Sequence, residues 1–308
     1  MAITGVMRAA AVQIRVTEMG PALHHYKDIM GLLQTAEGRD GRVYLKAWDE
    51  HDHHSVVLRE AESPGMDHMG FKVSGNDALD DFERRLEDSG VTVTRIPEGQ
   101  DEATGERLQF VVPTGHTIEL YAEMEQVGNG MSLDNPEVWP DDLKGMKPTR
   151  FDHCLLYGDD LDGTVRLFTE VLGLDIAEQV VTPDRKTMIG AFLTAATKPH
   201  DVAFIRSPEK DRFHHASFFI ESWHDIQLCA DLIAKHRVPL DIGPTRHGIT
   251  RGGTIYFFDP SGNRNETFCG GYIFYPDRPT LTWTEDDIGR AIFYYDRRLN
   301  ENFLSVTT

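Results

Sequence analysis

Three residues in the second half of this 308-residue chain could hold one metal ion: His153, His215 and Glu266. Two neutral imidazoles and one carboxylate on one face of a metal leave coordination positions open, the set that suits non-haem Fe(II) working with dioxygen. Spacings of 62 and 51 residues rule out assembly on one helix or turn, so the ligands must converge from separate strands. Taken singly, each has a structural reading as a hydrogen-bonded histidine or a solvated glutamate. Glu266, however, sits among Phe257, Phe258, Phe268 and Cys269, where an unpaired charge is expensive and a cation resolves the cost. Of the adjacent pair His214 and His215, strand alternation turns only one inward. His215 is the candidate because an internal repeat aligns it with another histidine, His68.

Between the ligands lie His200, His247 and Tyr256. His200 precedes an apolar strand at Val202 to Ile205, His247 lies in a Gly-Pro-Thr-Arg-His-Gly loop, and Tyr256 lies in a strand ten residues before Glu266. Tyr256 and Glu266 share a sheet face only if the turn at Pro260 keeps register. The structural alternatives are a strand-capping histidine, a loop histidine and a packed tyrosine.

The elements that must position these residues occur in duplicate. Ala11 to Leu32 is echoed by His153 to Leu174 at an offset of 142 residues, each an apolar strand, an amphipathic helix and then a glycine. His68, Phe71, Pro113, Gly115 and Glu119 match His215, Phe218, Pro260, Gly262 and Glu266 at an offset of 147. Ala11 stands where His153 stands in the second copy, so only the C-terminal half has three ligands, and the N-terminal half is expected to bind no catalytic metal. The pattern divides the chain into an N-terminal scaffold domain (1–130), a linker rich in Pro, Gly, Asn and Asp (131–149), an iron-binding domain (150–270) and a tail (271–308). In the tail, Thr284 and Asp287 predict the start of a helix whose apolar stripe runs through Ile288, Ala291, Ile292, Tyr295 and Leu299.

Lys+Arg 31 against Asp+Glu 50 gives a net charge of -19, which argues against nucleic acid and anionic membranes as partners. Met1 to Arg15 has no signal-peptide pattern and no stretch is apolar enough to span a bilayer, so a cytoplasmic protein is expected. Cys154, Cys229 and Cys269 are odd in number and lack CxxC spacing, which indicates neither disulfides nor a zinc knuckle.

The run Thr245-Arg246-His247, Ile255-Tyr256, Asp259-Pro260-Ser261-Gly262 and Glu266 resembles the signature of the extradiol ring-cleavage dioxygenases of the vicinal oxygen chelate superfamily, and Phe151-Asp152-His153 and Phe213-His214-His215 are similar to that family's ligand-bearing segments. The resemblance, closest to the catechol 2,3-dioxygenases, runs from Gly5 into the tail. It implies an α+β fold of four βαβββ units paired into two similar domains, Fe(II) in the second, a catechol-type substrate, dioxygen, and a homo-oligomer, usually a tetramer. His200 would then be the acid-base group beside oxygen, served by a near-neutral pKa, while His247 and Tyr256 would bond substrate oxygens. Ile249, Phe192 and Phe204 are candidates for the apolar wall around the ring. A glyoxalase-like metal-dependent isomerase and a non-enzymatic binding protein are the alternatives within the same fold.

Overall fold

The computed structural model describes residues 5–308, so the first four residues of the expected N-terminal domain lie outside the described residues. Each half of the chain is two successive βαβββ units, as the resemblance implies. In the first half, Val6–Val16 and Gly65–Val73 are the opening strands of their units and pair antiparallel at the centre of an eight-stranded sheet. In the second half, Arg150–Gly158 and Arg212–Phe219 do the same in a nine-stranded sheet. Their outer partners are Val202–Arg206 beside the former and Arg264–Gly270, followed by Gly252–Phe258, beside the latter. These strands are buried along nearly their whole length because both faces are covered: one by helices, the other by the cavity wall and the tail.

The duplication extends to register. Ala11 pairs with Gly70, which pairs with Glu119; His153 pairs with Ser217, which pairs with Glu266. Likewise Gln13 faces His68 where Leu155 faces His215. The first helix of each half, Met19–Leu23 and Leu161–Arg166, relaxes into a π-turn, His24–Ile29 and Leu167–Val171. Each then stops at a glycine with positive φ, Gly31 (88°) and Gly173 (77°). At Gly31 a side chain is also excluded by space, since a Cβ would lie 2.1 Å from the Lys144 carbonyl oxygen. The helix Trp223–His236 opens on a Ser222 side chain that accepts from the Asp225 amide and closes on left-handed Arg237.

One core runs through both halves, with Phe71 edge-on to Phe168 at 5.9 Å. Hydrogen bonds cross the same boundary: Ala9 N–H to Asp201 Oδ1 (2.9 Å), Tyr26 O–H to Asp259 Oδ2 (3.1 Å) and Thr114 N–H to Thr164 Oγ1 (3.0 Å). All three cysteines are free and buried.

The tail departs from the expected single helix. It first adds a strand, Leu281–Thr284, parallel to Asp175–Val181 at the sheet edge. A 3-10 turn and a helix of one turn, Ile288–Ile292, follow, and the helix ends at Phe293 rather than continuing to Leu299. The cause is competition for carbonyls. Ala291 O accepts from the amides of Gly248 and Ile249, and Ile292 O accepts from His247, so neither is left to propagate the helix. Thr284 occupies the N-cap position but makes no side-chain capping bond.

In the N-terminal half the Glu119 carboxylate is already served by cations and donors of its own. Arg107 Nε lies 3.2 Å away, Gln109 Nε2 2.9 Å and His68 Nε2 3.2 Å. Arg107 and Thr254 are equivalent at the offset of 147, so a guanidinium serves the carboxylate in the first half where a hydroxyl serves it in the second. A fully loaded chain is therefore expected to hold one metal ion, with His68→Ala leaving metal content unchanged by elemental analysis. Two ions per chain, or loss of the ion in a folded His68→Ala protein, would place a site in the first half.

Candidate metal centre

His153, His215 and Glu266 come from three adjacent strands, Arg150–Gly158, Arg212–Phe219 and Arg264–Gly270. Ser217 sits in the row between His153 and Glu266, and its short side chain lets the two longer ones lean toward each other. All three ligand candidates are buried. His153 Nε2 is 3.0 Å from Glu266 Oε2, His215 Nε2 is 3.4 Å from the same oxygen, and the two imidazole nitrogens are 3.4 Å apart. For ligand atoms ~2.1 Å from a shared ion, cis positions of an octahedron lie ~3.0 Å apart and trans positions ~4.2 Å apart. All three separations match the cis value, so the set is facial and leaves the opposite face free. Glu266 Oε2 is buried without a hydrogen-bond partner despite its close neighbours, as expected of an oxygen whose lone pair points at a shared centre. Two imidazoles and one carboxylate so arranged fit a mononuclear Fe(II).

The bonds behind the ligands orient them. His153 Nδ1 is 2.8 Å from Asp152 Oδ2, which accepts its proton and leaves Nε2 for the metal. Asp152 stays ionised: burial works against this, but Lys198, His153 and Arg150 hold its carboxyl well below the usual range. His153 is raised above the ordinary histidine value, because burial, which lowers it, is outweighed by Asp152 and Glu266. Burial pushes His215 down to about 4, with Glu266 offsetting only part of the effect. Burial alone would raise Glu266, but His153, His215 and His247 hold it well below the usual carboxylate range.

His200, His247 and Tyr256 all gather at the same cavity, together with Leu155, Ile205 and Phe268. Tyr256 pairs directly with Glu266 across the hairpin, so the turn at Pro260 does keep register. The Tyr256 hydroxyl donates to His247 Nε2 at 2.8 Å, because His247 Nδ1 already donates to the Ile292 carbonyl. Burial, followed by Glu266, raises Tyr256 well above the usual phenol value, so it keeps its proton. The His200 ring lies 3.9 Å from that of His153, and its buried Nδ1 has no partner. Its pKa is well below the near-neutral value expected from sequence, owing to burial and then to His153. The resting ring is neutral.

Of the three candidates for the wall, Phe192 and Ile249 line the cavity. Phe204 does not. It pairs with Leu156, one residue out of step with the face that carries His153 and Leu155, and packs instead on Phe168 at 5.2 Å. Thr254, which donates to Glu266 Oε1, and the tail residues Ile288, Ile292, Phe303 and Leu304, which close the cavity, are site residues that spacing and repetition do not single out. Strand alternation predicts that His214 faces away from His215. A register shift between Phe213 and His215 lets both rings bury side by side, His214 beneath the tail and His215 toward the centre.

Residues 66–125 match the catechol 2,3-dioxygenase-like N-terminal domain, and residues 150–267 match the glyoxalase/bleomycin resistance protein/dioxygenase superfamily. The chain is 55% identical over 305 residues to the metapyrocatechase of Pseudomonas sp. (strain CF600), covering 99% of each. It is 26% identical over 279 residues to the manganese-dependent 2,3-dihydroxybiphenyl 1,2-dioxygenase of Geobacillus genomosp. 3, covering 88% of this chain and 87% of the other. The structure of the 2,3-dioxygenase LapB from Pseudomonas sp. KL28 superposes with a TM-score of 0.90 at 46% identity, covering 92% of this chain and 99% of that one. Homoprotocatechuate 2,3-dioxygenase from Brevibacterium fuscum shares the fold, with a TM-score of 0.88 at 24% identity, covering 100% of this chain and 94% of that one. Identity at the level of the Pseudomonas relatives, sustained along nearly the whole chain, makes this protein a member of the extradiol ring-cleavage dioxygenases of the vicinal oxygen chelate superfamily.

Proposed function

We propose that this enzyme uses Fe(II) and dioxygen to open catechol and apolar-substituted catechols next to one ring hydroxyl, giving 2-hydroxymuconic semialdehydes. The observation that carries this reading is a facial set of three ligand atoms opening into a buried, mainly apolar cavity. The reaction balances without a further reductant: one ring carbon–carbon bond breaks, and both oxygen atoms end in the product, one in the new carboxyl group and one in the aldehyde. Iron, when bound, supplies adjacent positions for the two reactants and a path for electrons between them. With one carboxylate ligand the centre carries a formal charge of about +1, which a catechol monoanion neutralises.

The chain's own residues handle protons and shape. Tyr256 and His247 form a relay in which Tyr256 can pass its proton to His247 Nε2 as it receives one from a substrate hydroxyl. His200 has an unpaired buried nitrogen, suited to accepting a proton during the reaction and delivering it to an oxygen that gains negative charge. Val180, Ile189, Phe192, Ile205 and Ile249 enclose the ring and keep water away. Among the described residues no lysine or arginine lines the cavity, so a ring bearing a carboxylate finds no counter-charge there and is disfavoured.

Assembly as a homotetramer is part of the same proposal, supported by the family resemblance and by exposed Leu133, Val138 and Trp139 on the 131–149 segment. So is a cytoplasmic location; no helix among the described residues is long and apolar enough to cross a membrane.

Anaerobic loading with Fe(II), then catechol and air, should consume dioxygen and form a yellow ring-cleavage product; a glyoxalase-like isomerase or a binding protein would consume none. His215→Ala and Glu266→Ala should each lose iron on desalting, since two protein ligands hold a divalent ion weakly; normal iron content in both would remove the triad. His200→Phe should retain iron and bind catechol yet turn over about a hundredfold more slowly or worse, and unchanged turnover would return His200 to a structural role. Metal uptake must also displace the proton that His153 holds at its raised pKa. Apparent affinity, measured by chelator competition, should therefore rise with pH through that pKa; a flat profile would contradict the protonated metal-free state.

A further inference from the structure

The pair His214 and His215 contains one histidine that the proposed chemistry does not use. His214 is buried, its ring stacked on Tyr157 at 5.1 Å and edge-on to Phe303 at 4.7 Å. Both its nitrogens are engaged: Nε2 lies 2.6 Å from the carbonyl oxygen of Phe303, and Nδ1 lies 2.7 Å from Nδ1 of His215. We infer that His214 is a positioning residue that transmits the Phe303 carbonyl to the metal ligand, holding the His215 proton on Nδ1 so that Nε2 presents its lone pair to iron.

Hydrogen-bond polarity fixes where the protons lie. A carbonyl oxygen only accepts, so the bond at 2.6 Å needs a proton on His214 Nε2. A neutral His214 then has a bare Nδ1, which can only accept. The short Nδ1 to Nδ1 contact must therefore carry the proton of His215, leaving its Nε2 unprotonated and facing Glu266 and His153. Arg264 Nη1 donates to the backbone carbonyl of His214 at 3.3 Å, which steadies the strand that carries both rings.

The carbonyl at the head of this chain of bonds is held in place. Phe303 belongs to the short helix Glu301–Ser305, whose amides at Asn302 and Phe303 are capped by Asn300. Arg264 donates to Val306 O at 2.8 Å and to Asn302 O at 3.3 Å, while Phe213 and Thr308 exchange backbone hydrogen bonds. The tail thus reaches two histidines by main-chain carbonyls, Ile292 to His247 and Phe303 through His214 to His215.

This inference rests on reading His215 as a ligand, and the test separates the two. Iron loss from the holoenzyme to a competing chelator is timed at fixed pH for His214→Leu, His214→Met, His214→Gln and His215→Ala, with circular dichroism for the fold. The two apolar variants should release iron about ten- to a hundredfold faster than the parent. His214→Gln should stay within a few-fold of it, since its amide can accept from His215 and donate to Phe303 at once. A folded apolar variant that keeps iron like the parent overturns the inference, and so does a Gln variant that releases it as fast as Leu or Met. If neither apolar variant folds, Gln alone decides: release as complete as in His215→Ala overturns the relay, and near-parental retention supports it. Retention of iron by His215→Ala would instead overturn the triad itself.

Discussion

A single negative charge, placed where water cannot reach it, governs the design of the second half of this protein. Glu266 is only 1% exposed and stays ionised. An isolated carboxylate in such a place would cost many kcal/mol, so its surroundings must supply positive charge and donors without relying on solvent. Thr254 satisfies one oxygen, while the other is left to the two imidazoles and whatever cation they share with it. With no metal, Asp152 and Glu266 outweigh burial and favour a proton on His153, which offsets the charge; with iron, the metal would do so. The same residues therefore suit both states of the site.

The first half contains the same row of strands, in the same register, and meets the same demand differently. Glu119 occupies the position of Glu266, but its counter-charge is the covalently attached guanidinium of Arg107. A resident cation of this kind offers no coordination position, which is the basis for expecting no catalytic metal in the first half. Two positions of the duplicated fold make the contrast: Arg107 brings a cation to the carboxylate where Thr254 brings a hydroxyl, and Ala11 stands where His153 supplies an imidazole.

The parts of this arrangement legible in the sequence were those set by repetition and alternation. The offsets of 142 and 147 aligned the ligand positions, and the strand carrying Tyr256 could be counted against Glu266 across one turn. The illegible parts depend on segments distant in the chain. The tail helix has a good apolar stripe, yet it breaks at Phe293 because the loop around His247 takes its carbonyls, a competition no local pattern reveals. His214 looked surplus because its partner is Phe303. Phe204 was misplaced because cross-strand pairing, not hydrophobicity, decides which face of a strand sees the cavity. Pairing Val202 with Cys154 would have put Ala203 and Ile205 on the site face and Phe204 behind it.

The continuous core that joins the halves bears on how such a protein can change over time. Because Phe71 packs on Phe168 and the Asp201 carboxylate holds the Ala9 amide, the half without a ligand set is part of the foundation beneath His200. Neither half can be shed as an independent module, since excision would expose apolar surface that the other half now covers. Substitution in the first half is accordingly limited at the seam and also at the buried ion pairs that Glu119 makes with Arg107 and His68. Selection for the site in the second half therefore reaches Ala9 and Phe71 in the first.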